Sequence, residues 1–216
     1  MERRGKFLIF LMDNGDRMFL HLRMTGQLFV TPPDYPMEKH THLLIHFENE
    51  KQMRYIDVRR FGRFWYIKKE EDESITGIDK LGPEPFDKEF TSAYLKGKLE
   101  KKKKPIKEML HDQSVVAGIG NIYSDEILYA AGIHPETRCT ELTENEWNKL
   151  AKIIPEILTW AIEKKQIAQK EYRNVPFLKA YGHQGKECPI CGSVFERVVV
   201  GGRSSCYCPG CQRKKE

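Results

Sequence analysis

Residues 188–211 read CPICGSVFERVVVGGRSSCYCPGC. Cys188 and Cys191 make one C-x2-C pair, Cys208 and Cys211 make a second, and sixteen residues lie between the pairs. Thiolate is a soft ligand, and a two-residue spacer lets both sulfurs of a pair reach one tetrahedral ion. Between the pairs, residues 193–200, then Gly201-Gly202, then residues 203–207 read as a β-hairpin. The pattern predicts a zinc ribbon that holds one structural Zn2+. Two structural disulfides are the alternative. Cys139 and Cys206 are left over and are read as a buried thiol and a hairpin thiol, not as further ligands.

Charge is unevenly spread around this ribbon. The 216 residues carry 36 Lys/Arg and 31 Asp/Glu, a net +5. Residues 177–216 hold seven Lys/Arg and three Asp/Glu, so +4 of that total falls there. A basic ribbon points to a polyanion partner, nucleic acid first; a merely solvated basic tail is the alternative. No apolar run approaches the roughly eighteen residues that a membrane span needs, and no signal peptide is visible, so the expectation is a soluble cytoplasmic chain. Cysteines in metal spacing fit a reducing compartment.

Upstream, residues 1 to 70 read as strands. Residues 7–11 and 18–22 flank Asp13-Asn14-Gly15-Asp16, and Asn-Gly is a strong hairpin signal. Residues 27–30, 42–47, 53–58 and 64–67 complete six short strands, interrupted by the proline-rich residues 32–36. An antiparallel sandwich or barrel fragment follows. Leu81-Gly82-Pro83-Glu84-Pro85 reads as a stiff linker. Beyond it come helices over residues 90–99, 106–111 and 122–131, the last ending at Gly132. Thr143-Glu144-Asn145-Glu146 is a capping box that opens a longer helix, which Pro155 should kink. The domains are therefore drawn at 1–82, 83–176 and 177–216.

Three stretches could do chemistry. Gly118-Ile119-Gly120-Asn121 opens a helix, whose first N–H groups and positive dipole end suit a phosphate, with the Asn121 amide as a further donor. The basic run 101–104 and Lys107 lie just before it. Asp57-Val58-Arg59-Arg60-Phe61-Gly62 ends a strand and offers guanidinium groups plus an aromatic wedge; taken alone, Phe61 reads as core and the arginines as a solvated face. His21-Leu22-Arg23-Met24-Thr25-Gly26 places a methionine before a turn, where core filling is usual. His40 and His42 are a weak candidate zinc pair.

Taken together, these stretches resemble the formamidopyrimidine-DNA glycosylases, which share a fold with the endonuclease VIII-type glycosylases. The matching motifs are Arg3-Arg4-Gly5-Lys6, residues 21–26, 57–62 and 81–85, Val116-Ala117-Gly118-Ile119-Gly120-Asn121-Ile122-Tyr123, Ala131-Gly132-Ile133-His134-Pro135 and the terminal cysteines, in the family's order. The resemblance implies an α+β multidomain architecture: an antiparallel β-sandwich, a helix-two-turns-helix domain and a C-terminal zinc ribbon. It implies a monomer on damaged double-stranded DNA that excises oxidised purines and cleaves the abasic site by β/δ-elimination. Met24, Arg59 and Phe61 match the side chains that fill the void left by the flipped nucleotide. Lys6 matches a lysine implicated in acid catalysis. Arg203 matches the arginine that grips flanking phosphates and aids elimination. His40, Lys102, Lys107 and Asn121 match DNA-contacting positions.

The chain departs from the family at its start. Family members begin Pro-Glu, and that proline amine attacks the sugar. Here the sequence begins Met1-Glu2-Arg3-Arg4, and the sandwich is expected to lack its first helix and strands. No nucleophile is carried over, so a non-catalytic binder of damaged DNA is the alternative function. Residues 166–185 are shorter and poorer in glycine than the family's lesion-capping loop, which weakens the implication of 8-oxoguanine preference.

Overall fold

The structure is a computed structural model, and it describes residues 1–164 and 178–215. Most of residues 166–185, compared above with the family's lesion-capping loop, lies outside those residues. The chain divides into two compact units, Met1–Asp79 and Lys80–Glu216.

The first unit is built from seven strands: β1 (Glu2–Arg4), β2 (Phe7–Leu11), β3 (Arg17–His21), β4 (Gly26–Thr31), β5 (Thr41–His46), β6 (Gln52–Asp57) and β7 (Arg63–Ile67). They form two antiparallel sheets of a β-sandwich, ordered β1-β2-β3-β7 and β4-β6-β5. Phe7, Met18, Phe19 and Leu20 are buried from the first sheet, and Met53, Tyr55 and Ile56 from the second. The Asn14-Gly15 turn joins β2 to β3, with Gly15 at φ 88°. Strand β1 was not among the six expected. It pairs Arg4 with Phe7 around Gly5-Lys6, and Gly5 takes φ 54°. That glycine was the available signal; the charged, three-residue strand gives no alternation to read.

The second unit opens with α1 (Ser92–Leu99), which starts two residues later than expected because the Thr91 side chain caps it, accepting from the Tyr94 amide at 3.1 Å. Helices α2 (Ile106–His111), α3 (Asn121–Ala131) and α4 (Glu144–Lys164) follow. Gly132 ends α3 at φ 69°. At the start of α4 the Thr143 hydroxyl accepts from the Glu146 amide, and the Glu146 carboxylate accepts from the Thr143 amide at 2.7 Å. Helix α4 continues through Pro155. Its buried stripe of Trp147, Leu150, Ile154 and Ala161 supplies packing that offsets the lost backbone bond. Trp147, Leu150 and Ile154 join Leu95, Leu99, Ile106 and Ile127 in one core.

The ribbon strands are β8 (Glu196–Val200) and β9 (Arg203–Tyr207), paired from Glu196↔Tyr207 to Val200↔Arg203. Gly201 and Gly202 turn at φ 55° and 74°, the two positive values a two-residue hairpin loop requires. Residues 193–195, expected in the strand, instead wrap the first cysteine pair: the Ser193 carbonyl accepts from the Cys188 amide at 2.8 Å. Among the described residues, no helix is long and apolar enough to cross a membrane.

Candidate functional site

In the first unit, the turn after β3 carries Met24 and the loop after β6 carries Arg59 and Phe61. The sequence separates Met24 from Arg59 by 35 positions; the fold brings them together. An Arg59 guanidinium nitrogen lies 3.3 Å from the Met24 sulfur. The same guanidinium stacks 4.5 Å from the Phe61 ring centre. Met24 is 68% exposed and Phe61 48%, so neither is core. The cluster is an apolar and cationic projection, with the Arg59 guanidinium over an aromatic face.

Lys6 sits in the β1–β2 turn and is exposed. His40 is half-buried at φ 70° and its carbonyl accepts from the Asp57 amide at 3.1 Å. The His42 Nε2–H donates to the Asp57 carbonyl at 2.8 Å. The two histidines thus brace β6. Among the described residues, the metal-competent group consists of cysteines alone.

In the second unit, Lys102 is exposed between α1 and α2, while Lys104 pairs with Glu108 at 2.5 Å. Lys107, expected at the DNA-contacting surface, is instead enclosed: it is 1% exposed, and its ammonium lies 2.5 Å from Asp125, itself 1% exposed. It also donates to the Ser204 carbonyl at 3.0 Å. Burial pushes the Lys107 ammonium down and the Asp125 carboxyl up, and the contact between them opposes both shifts. The glycine turn also differs from expectation. The Gly118 amide, read as a free donor, is taken by the Gln113 side chain at 2.9 Å. Asn121 opens α3, donates to the Ser204 carbonyl at 3.0 Å, and leaves its own Oδ1 buried without a hydrogen-bond partner among the described residues. Arg203 is exposed at the hairpin tip, one residue before Ser204. Ser204 therefore links Lys107, Asn121 and the strand that carries Arg203.

The sulfurs of Cys188, Cys191, Cys208 and Cys211 all lie within 4.8 Å of one another. Cys188 and Cys211 are 3.8 Å apart, Cys191 and Cys208 3.3 Å. A tetrahedral ion with zinc–sulfur bonds of about 2.3 Å places its ligands at about such separations, whereas a disulfide would bring two sulfurs to about 2.05 Å. The four thiols are one zinc-finger site, closed to substrate because the protein fills every position. Cys139 and Cys206 are buried and stand apart from it.

Comparison with known proteins agrees with this geometry. Residues 1–64 match the formamidopyrimidine-DNA glycosylase N-terminal domain, 81–172 the formamidopyrimidine-DNA glycosylase H2TH domain, and 185–213 the zinc finger found in FPG and IleRS. The formamidopyrimidine-DNA glycosylase of Desulforamulus reducens is 43% identical over 223 residues, covering 100% of this chain and 80% of that protein. This chain belongs to the formamidopyrimidine-DNA glycosylase family. The Synechococcus sp. glycosylase is 41% identical over 98% of this chain and 80% of its own length. Lactococcus lactis Fpg, solved in complex with an abasic site containing DNA, superposes with a TM-score of 0.90 at 37% identity, over 99% of this chain and 81% of that one. MutM in complex with carbocyclic 8-oxo-G containing DNA gives 0.88 at 38% identity, over 99% of this chain and 80% of that one.

Two residues that hold this glycosylase-family scaffold together escaped the sequence reading. Asp125 accepts from Lys107, from the Ser205 hydroxyl at 2.7 Å and from the Cys206 amide at 3.0 Å. Glu126 accepts from the amides of Lys179, Ala180 and Tyr181 at 2.8–2.9 Å. Adjacent acidic residues on an amphipathic helix ordinarily mean solvent; a clue existed only in their position beside the apolar stripe of α3.

Proposed function

We propose that this chain acts in DNA base-excision repair: it binds damaged duplex DNA, excises oxidised purines and nicks the resulting abasic site by β/δ-elimination. The observation that carries the reading is the exposed cluster of Met24, Arg59 and Phe61. Flipping a nucleotide costs a few kcal/mol of stacking. Apolar side chains entering the gap, beside a guanidinium, recover part of that cost. Relatives solved on abasic-site and Fapy-dG DNA support the substrate class. In this reading Arg203 grips phosphates beside the lesion, Lys6 serves acid catalysis, and His40, Lys102 and Asn121 line the DNA. Lys107 contributes from inside, by fixing the Ser204 carbonyl.

A second reading, damaged-DNA binding without base removal, draws on one observation. Glu2 is held in β1 opposite Ile9, as a strand residue. Borohydride trapping on an abasic-site duplex separates the two readings. The expected result is a covalent adduct, whose amine is then located by peptide mapping. Salt-sensitive binding with no adduct supports the binder instead. Loss of both sinks the repair assignment.

A further inference from the structure

The two loops that carry Met24, Arg59 and Phe61 converge on one buried carboxylate. Asp57, the last residue of β6, is 0% exposed. The Thr25 hydroxyl donates to its Oδ1, and the Arg59 amide reaches that oxygen at 3.3 Å. The Tyr55 hydroxyl and the Gly62 amide donate to its Oδ2 at 2.9 and 2.8 Å. Thr25 closes the circuit, because its Oγ1 also accepts from the Arg59 amide at 3.2 Å. A donor from the residue after Met24 and donors from both ends of the Arg59–Phe61 loop therefore meet at a single group.

Backbone strain collects at the same place. Four non-glycine residues among those described have positive φ, and three of them border Asp57 or its loops: Arg23 at 55°, Arg60 at 57° and His40 at 70°. Arg23 precedes Met24, and Arg60 sits between Arg59 and Phe61. Such conformations cost on the order of 1–3 kcal/mol each and persist only where surrounding bonds hold them. Burial alone would raise the Asp57 carboxyl; the donations from Thr25, Gly62, Tyr55 and Arg59 outweigh it and hold the group at about 2. A Cβ on Gly62 would fall 1.6 Å from the Tyr55 hydroxyl oxygen, so the loop fits against this network without slack.

We propose that Asp57, acting through Thr25, is a positioning residue: it locks the Met24 turn to the Arg59–Phe61 loop, so that the three side chains enter DNA as one preformed wedge. This rests on the reading of those three as gap fillers. A wedge already assembled loses little side-chain freedom on insertion, so the network strengthens binding to a gapped stack more than binding to intact duplex.

Removing Asp57 outright risks the fold, so the test centres on Thr25. Thr25→Val keeps shape and deletes the hydroxyl; Thr25→Ser restores it. Affinities for a duplex with a tetrahydrofuran abasic analogue and for the intact duplex are measured at one salt concentration. Fluorescence of 2-aminopurine beside the gap reports the wedge directly. Thr25→Val is expected to lower the gapped-to-intact affinity ratio about tenfold, the worth of one charge-assisted hydrogen bond, and to weaken the 2-aminopurine change. Thr25→Ser is expected to recover most of both. Zinc content and circular dichroism verify folding, and Phe61→Ala serves as the reference. If Phe61→Ala loses the ratio while Thr25→Val keeps it, the latch is overturned and the wedge stands. If Phe61→Ala keeps the ratio, the gap-filling reading fails and the proposal falls with it.

Discussion

A lysine in a basic stretch ordinarily reads as a surface residue, and Lys107 shows where that inference stops. Residues 101–104 are exposed, yet Lys107 lies on the inner face of α2, its ammonium closed off by Asp125 and the Ser204 carbonyl. Composition could not reveal this, because the partners sit 18 and 97 positions away. Lys107→Met is expected to destabilise the protein by about 3–5 kcal/mol, since it leaves a buried carboxylate without its counter-charge. Adding Asp125→Asn, which removes the unpaired charge and keeps an oxygen acceptor for Ser205 or Cys206, should recover part of that loss. Urea unfolding of the single and double variants measures both effects, and a double variant as unstable as the single one would contradict the ion-pair account. The cysteines were legible for the opposite reason. Their chemistry needs only short spacing within each pair and one hairpin between the pairs, all of it written locally.

Among the elements, turn chemistry carried most of the information. Asn14-Gly15, Gly201-Gly202, the Thr143 capping box and Gly132 fixed strand and helix ends within a residue or two, because each meets a backbone requirement that few residues satisfy. What spacing could not supply was the meeting of the β3–β4 turn with the β6–β7 loop, which depends on the pairing of distant strands. Strand β3 also carries a titratable feature. His21 stacks edge-on against Phe7, with ring centres 4.9 Å apart, and its Nδ1 accepts from the Arg23 amide at 3.1 Å. Burial first, then the charges of Arg23 and Lys6, lowers His21 to about 4. An unfolded histidine near 6.5 binds its proton earlier, so stability is lost as pH falls from about 6.5 toward 4. Urea midpoints taken across that range should decline in the wild type and hold steadier in His21→Phe. Parallel curves would remove His21 as the cause.

At the scale of the whole chain, the expected sandwich, paired helices and ribbon are all present, and the helices and ribbon close into one compact unit. Zinc should therefore stabilise more than its own knuckles. Chelation is expected to release one Zn2+ per chain and to lower the melting temperature of the 80–216 unit, because structural zinc in small fingers contributes on the order of 10–16 kcal/mol to folding. A colorimetric zinc assay run beside calorimetry checks this; an unchanged melting temperature after full release would assign the metal a purely local role. The stitching through α3 bears on protein engineering as well. The recognisable finger spans residues 185–213, but Asp125 receives Ser205 and Cys206, Glu126 receives three amides from residues 179–181, and the Gln212 side chain donates to the Ile133 carbonyl at 2.8 Å. Cut at the motif's own ends, the ribbon is not a cassette. A chimaera that borrows residues 185–213 alone must replace the partners that Asp125 gives Ser205 and Cys206 and that the Ile133 carbonyl gives Gln212.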